Sequence, residues 1–169
     1  MSNKKLYLLD GNSLTYRAFY ALPESLTKSD GTITNAVFGF TRMMLTLTEN
    51  YEVDAMAAAF DLPEPTFRHK EYEEYKAHRD KTPDELVPQL DMVKDLLRAL
   101  KVPIFTKSGY EGDDIIGTLA KEAAKEGYQV TIVTGDKDTL QLVDENIRVM
   151  YTRKGITDIV SYDLAKFKE

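Results

Sequence analysis

The sequence predicts an α/β fold built on a mostly parallel, twisted sheet with helices on both faces. Three observations carry that expectation: short apolar runs that stop at acidic residues, helical periodicity between those runs, and a length of 169 residues, which suits one core. Leu6-Tyr7-Leu8-Leu9 ends at Asp10, Ala55 to Phe60 ends at Asp61, and Val130 to Val133 is followed by Thr134-Gly135-Asp136. Each reads as a buried strand closed by turn chemistry. Pro103 to Thr106, ahead of Ser108-Gly109, is a fourth.

Between the runs, Val37, Phe40, Met44 and Leu47 recur at steps of three and four, as do Leu86, Leu90, Val93, Leu97 and Leu100. Thr82-Pro83-Asp84-Glu85 offers the second of these helices a start, with Thr82 as cap, Pro83 at the first helical position and Glu85 three residues after the cap. A third helix is predicted from about Asp113 to Glu126, with acids in its first turn, Lys121 and Lys125 towards its end and Gly127 as its stop. Alternation of strand and helix implies a parallel sheet covered on both sides. After Asp144 the pattern changes. Ile147 to Tyr151 and Ile156 to Val160 are β-rich, joined across Lys154-Gly155, and predict a hairpin; Tyr162 to Glu169 then reads as the start of a helix.

Composition narrows the function classes. With 43% hydrophobic and 30% charged residues the chain sits with ordinary globular domains, away from disordered and membrane classes. Its 22 basic residues against 28 acidic ones give a net charge of −6, which excludes a domain coated in Lys and Arg but leaves metal-dependent contact with phosphate open. The sequence has no cysteine, so thiolate zinc sites, disulfide scaffolds and cysteine nucleophiles are excluded, and a reducing, cytoplasmic compartment is expected. Leu6 to Leu9 is too short for a signal sequence or a membrane span. With His69 and His78 the only histidines, any metal would be held by carboxylates. A monomer is the default expectation.

The segment from Pro63 to Pro83 differs in kind. It carries Arg68, His69, Lys70, Lys76, His78, Arg79 and Lys81, interleaved with Phe67, Tyr72 and Tyr75 and with the acids Glu71, Glu73, Glu74 and Asp80, and has few aliphatic residues. It cannot be a core element, and with so little to bury it is expected to be mobile. Composition alone fits a solvated face. It also fits a grip on a polyanion, with Lys76 and Arg79 neutralising phosphates and the aromatic rings stacking on bases.

In an open parallel sheet, ligands collect beyond the C-terminal strand ends, and there the sequence places its acids. Asp10, Asp61 and Asp136 fall at three separate strand ends, with Asp138 two residues on, and Glu111, Asp113 and Asp114 follow the fourth and enter a helix. Any one of them alone reads as a turn residue or helix cap, and Asp113 and Asp114 suit a helix N-terminus. Seven together would repel one another unless cations were present, and oxygen-only ligands favour Mg²⁺ or Mn²⁺ over zinc. Two such ions about 3.5–4 Å apart suit in-line displacement at phosphorus, which makes a phosphodiester the expected substrate.

These motifs resemble a known family. Leu9-Asp10-Gly11-Asn12-Ser13 with Tyr16-Arg17-Ala18-Phe19, Thr34 to Phe40, Ala59-Phe60-Asp61, Thr66-Phe67-Arg68 with Tyr75-Lys76-Ala77-His78-Arg79, Gly109 to Thr118 and Thr134-Gly135-Asp136-Lys137-Asp138 are similar to the 5′-nuclease domain of bacterial DNA polymerase I, within the flap endonucleases of PIN-like fold. The resemblance runs to about Asp163. It implies a three-layer domain over 1–169 with an arch near 63–83, acting as a divalent-metal-dependent 5′-3′ exonuclease or flap endonuclease in DNA replication and repair, nucleoid-associated and joined to a polymerase domain in a full-length protein. It assigns Asp10, Asp61, Glu111 and Asp113 to a first metal, with Asp114 beside them, and Asp136 and Asp138 to a second. It places Lys76 and Arg79 at the foot of the arch against the phosphate being cut. Arg17 and Arg68 are further candidates for DNA contact, and Tyr16 for stacking on a terminal base or for a core role.

Two departures stand out. Gly112 replaces the Ala usual in relatives, which is expected to loosen the helix entrance without chemical effect. The family also continues with a helix–turn–helix element and further Asp ligands to the second metal, and the sequence ends before them. The alternative function is therefore a catalytically incomplete domain that binds metal and 5′ DNA ends without turnover. A phosphatase with Asp10 as nucleophile is excluded by Asn12, where such enzymes need a second Asp.

Overall fold

A computed structural model describes residues 4–62, 82–154 and 158–167. Along the chain run β1 (Lys5–Asp10), α1 (Gly11–Ala21), α2 (Asn35–Asn50), β2 (Ala55–Ala59), α3 (Val87–Ala99), β3 (Ile104–Phe105) and α4 (Gly112–Lys125). Then follow β4 (Gln129–Thr134), a 3-10 helix (Lys137–Leu142), β5 (Ile147–Lys154), β6 (Asp158–Tyr162) and the short α5 (Leu164–Phe167). The strands form one sheet in the order β3-β2-β1-β4-β5-β6, parallel throughout except for the antiparallel pair β5–β6. Winding reverses between β1 and β4. A crevice therefore opens beyond their C-terminal ends, the position at which doubly wound sheets bind ligands.

Successive residues of a strand point to opposite faces, and β1 shows how both are covered. Leu9 packs with Leu14, Phe40, Met43, Leu47, Val93 and Leu97 from α1, α2 and α3, whereas Leu8 packs with Ile116 and Ala120 from α4 and with Val130, Ile132 and Val149. The three-layer α/β architecture is the one expected. Among the described residues, no helix is long and apolar enough to cross a membrane.

Local departures have identifiable causes. Helix α1 went unannounced because Gly11, Asn12, Ser13 and Thr15 are poor helix formers; it is started by Asp10, which caps it through the Ser13 N–H. The predicted start at Thr82 forms a turn instead, and α3 begins at Val87. Pro88 has no N–H to give to the Asp84 carbonyl, so the ladder is interrupted at that point. The Thr82 hydroxyl bonds Tyr16 Oη at 2.6 Å. The hairpin forms with an irregularity between Thr152 and Lys154. The segment 63–81, with its expected arch and mobility, lies outside the described residues.

Candidate functional site

Asp10 closes β1 and is 6% exposed. Its Oδ2 accepts the Thr134 hydroxyl at 2.8 Å, and its Oδ1 accepts the Ser13 N–H at 3.5 Å. Burial pushes the Asp10 carboxyl above the ordinary range; the bonds from Ser13 and Thr134 pull it back, and the neighbouring Asp61 charge pushes it further up. At the end of β4, Asp136 N–H donates to Thr134 Oγ1 at 3.0 Å and Gly135 N–H donates to Ser13 Oγ at 3.0 Å. The ends of β1 and β4 thus share hydroxyl partners.

Asp61 follows β2. Its N–H donates to Asn12 Oδ1 at 2.8 Å, and its Oδ1 accepts the Gly112 N–H. It is therefore seated on the first turns of both α1 and α4. Glu111, 3% exposed, is the N-cap of α4, and its N–H donates to the Asp114 carboxylate at 3.1 Å. One ligand atom from each of Glu111, Asp113 and Asp114 lies within 4.8 Å of the others. Burial, then the charges of Glu111, Asp114, Asp10 and Asp61, push the Asp113 carboxyl up to about 6. Five of the seven acids singled out in the sequence therefore belong to one electrostatic cluster.

The other two stand slightly apart. Asp136 accepts the Asp138 N–H at 2.9 Å and so caps the 3-10 helix. Asp138 lines a groove together with Asp113 and Asp114. The donor set is oxygen-only, suited to hard divalent ions. Two unit charges 4.8 Å apart repel by about 3.5 kcal/mol at an effective dielectric of about 20, so a cation at this rim relieves a real repulsion.

The basic candidates divide. Arg17 Nη2 donates to Tyr151 Oη at 2.9 Å and to the Gly135 carbonyl at 3.4 Å, and the guanidinium lies 5.7 Å from the Tyr151 ring centre. Both of these hydrogen bonds are to the protein, bracing the Asp136 loop. Tyr16 packs beside Phe19, Ala36 and Leu86, with its hydroxyl on Thr82. Arg68, Lys76 and Arg79 lie outside the described residues. Sequence reasoning missed Ser13, Thr134 and the backbone N–H of Gly112. The only signal was their adjacency to the acids, since hydroxyls carry no charge pattern.

Gly112 lies against one of the clustered carboxylates. A Cβ there would stand 3.2 Å from Asp61 Oδ1, tighter than ordinary contact. Gly112→Ala is expected to shift Asp61 by a few tenths of an ångström and to change Mn²⁺ binding by less than about threefold, while gaining helix propensity of up to about 1 kcal/mol. Calorimetric titration with Mn²⁺ beside a melting curve checks both expectations.

A model of the family described as "5′-3′ exonuclease, N-terminal resolvase-like domain" matches residues 5–169. The chain belongs to this 5′-3′ exonuclease family. DNA polymerase I of Mycobacterium tuberculosis (strain ATCC 25618 / H37Rv) is 49% identical over 158 residues, covering 93% of this chain. That of Bacillus subtilis (strain 168) is 47% identical over 166 residues, covering 98%. The chain spans 18% and 19% of those two relatives. Among solved structures, the T5 D15 protein crystallised with metal ions superposes with a TM-score of 0.72 at 19% identity, covering 95% of this chain and 57% of that one. A bacteriophage T5 flap endonuclease complexed with DNA and metal ions gives 0.70 at 21%, covering 95% and 58%. These likenesses establish a common flap-nuclease fold for the exonuclease domain.

Proposed function

We propose that this domain hydrolyses phosphodiesters at 5′ ends and flaps of DNA with the help of two divalent ions, Mg²⁺ or Mn²⁺. The observation that carries the reading is the convergence of Asp10, Asp61, Glu111, Asp113 and Asp114, from three separate segments, at the point where the sheet reverses its winding. Asp10, Asp61, Glu111 and Asp113 would hold the first ion with Asp114 beside them, and Asp136 and Asp138 would contribute to the second. Held there, such ions would supply activation of water and stabilisation of charge on the attacking and leaving oxygens. The chain's own part is to hold the carboxylates in place through α1, α4 and the hydroxyls of Ser13 and Thr134. Lys76 and Arg79, with Arg68, carry the phosphate contacts. Arg17 and Tyr16 serve by bracing what surrounds the site. The family and the names of the relatives support a cytoplasmic role in replication and repair, within a longer polypeptide that carries a polymerase and without a required partner copy.

The test is cleavage of a 5′-labelled flap substrate by the 169-residue chain in Mg²⁺, in Mn²⁺ and in chelator. Metal-dependent release of short labelled products is expected. DNA binding with no product in either metal would overturn hydrolysis by this chain and leave a binding domain.

A further inference from the structure

We propose that Thr134 and Ser13 form a directed hydroxyl pair that positions Asp10 and the Asp136 loop as one unit, so that the inner acidic cluster and the second acidic pair cannot move independently. The proposal rests on the reading of the rim as a divalent-ion site.

Direction follows from counting protons. A hydroxyl has one proton and two lone pairs. Thr134 Oγ1 lies 2.8 Å from Asp10 Oδ2, 3.0 Å from the Asp136 nitrogen and 3.2 Å from Ser13 Oγ. The Asp136 N–H can only donate and so occupies one lone pair. The Thr134 proton goes to Asp10 Oδ2, which accepts it at 2.8 Å. The remaining lone pair faces Ser13, whose single hydroxyl proton has two acceptors within reach, Thr134 Oγ1 at 3.2 Å and the Asp10 carbonyl at 3.4 Å. Ser13 Oγ in turn accepts the Gly135 N–H at 3.0 Å. The two amide protons of the β4 end thus fall on the two hydroxyls, and the hydroxyls in turn reach Asp10, Thr134 at its carboxylate and Ser13 at its backbone carbonyl.

Thr134 is fully buried, at 0% exposure, so no solvent can replace a lost bond. A shift of the loop carrying Asp136 must pull on the hydroxyl that orients Asp10, and the reverse holds equally. The outer side of the same loop is fixed by Arg17 on the Gly135 carbonyl, with Tyr151 behind it. Thr134→Val keeps the volume and removes every bond of the hydroxyl; Thr134→Ser keeps the hydroxyl. Thr152 is a matched control, being fully buried, bonded to the Thr134 carbonyl at 3.4 Å and outside the pair.

The experiment is a titration of the 169-residue chain with Mn²⁺ alone, followed by calorimetry or electron paramagnetic resonance, with amide exchange at Gly135 and Asp136 measured in parallel. Thr134→Val is expected to weaken Mn²⁺ binding about 10- to 100-fold, the usual effect of removing a partner behind a metal ligand, and to speed exchange at Asp136 by about three- to tenfold. Thr134→Ser and Thr152→Val are expected to stay within about threefold of wild type in both. Should Thr134→Val fail to fold, Ser13→Ala takes its place, with a loss of about three- to tenfold in affinity and faster exchange at Gly135. Unchanged Mn²⁺ affinity in a folded Thr134→Val, or in a folded Ser13→Ala where that variant stands in for it, would overturn the proposal. So would equal impairment in Thr134→Ser or in Thr152→Val. A wild-type chain that binds no Mn²⁺ would instead overturn the ion-site reading beneath it.

Discussion

Gly11→Ala is expected to destabilise the protein by about 1–3 kcal/mol and to lower its melting temperature by roughly 3–10 °C. Helix propensity alone predicts the opposite, because Ala is favoured over Gly by up to about 1 kcal/mol. Space decides the sign. A Cβ at Gly11 would stand 2.3, 2.4 and 2.5 Å from three carbons of the Phe60 ring. Phe60 is 1% exposed, packs in the cluster that holds Leu9, Leu14 and Phe40, and has Lys94 Nζ 5.2 Å from its ring centre. Buried in that close-packed cluster, the ring has no open space to retreat into. Differential scanning calorimetry of Gly11→Ala, and of Gly11→Ala with Phe60→Leu, separates the two effects. The double variant is expected to recover part of the loss, since residues in contact are not additive. A rise in melting temperature for the single variant would show that the ring relaxes freely.

What the sequence made legible was whatever leaves a pattern along the chain. Strand ends could be read because apolar runs stop abruptly at Asp10, Asp61 and Asp136, and the third helix because its acids, its late lysines and Gly127 agree. The position of the carboxylates followed from the parallel sheet, and five of them meet as expected. Contacts across the chain left no such trace. Thr82 carries a good helix-start signature, yet Pro88 and the hydroxyl of Tyr16 determine its part. Nothing along the chain announces that Arg17, a candidate for DNA contact by resemblance, hydrogen-bonds Tyr151 and the Gly135 carbonyl, more than a hundred residues away. Ser13 and Thr134 are separated by 121 positions and meet only because β1 and β4 are neighbours.

Asp113→Asn is expected to act in opposite directions on chemistry and on fold. A bound ion supplies several kcal/mol of charge stabilisation, and at about 1.4 kcal/mol per tenfold the loss of one carboxylate ligand lowers flap cleavage by roughly 10³-fold. In the metal-free protein the same change is stabilising. The Asp113 carboxyl is pushed up to about 6 from an ordinary 3.8, so between those values the folded state binds more protons than the unfolded one. Stability therefore falls as pH rises from about 4 to about 6 and stays lower above it. The carboxyl is partly desolvated while the residue as a whole is open to solvent, so screening reduces the effect to about 1 kcal/mol, or roughly 2–4 °C. In chelator at pH 7.5 the variant is expected to melt above wild type by that margin, and at pH 4 the gap is expected to close. Saturating Mg²⁺ reverses the order at pH 7.5, because only wild type keeps the full ligand set. A variant that melts with wild type in chelator across the whole pH range would mean that Asp113 feels none of its four neighbours. Slow cleavage would then reflect a lost ligand alone, with no repulsion stored in the empty rim for the ion to relieve.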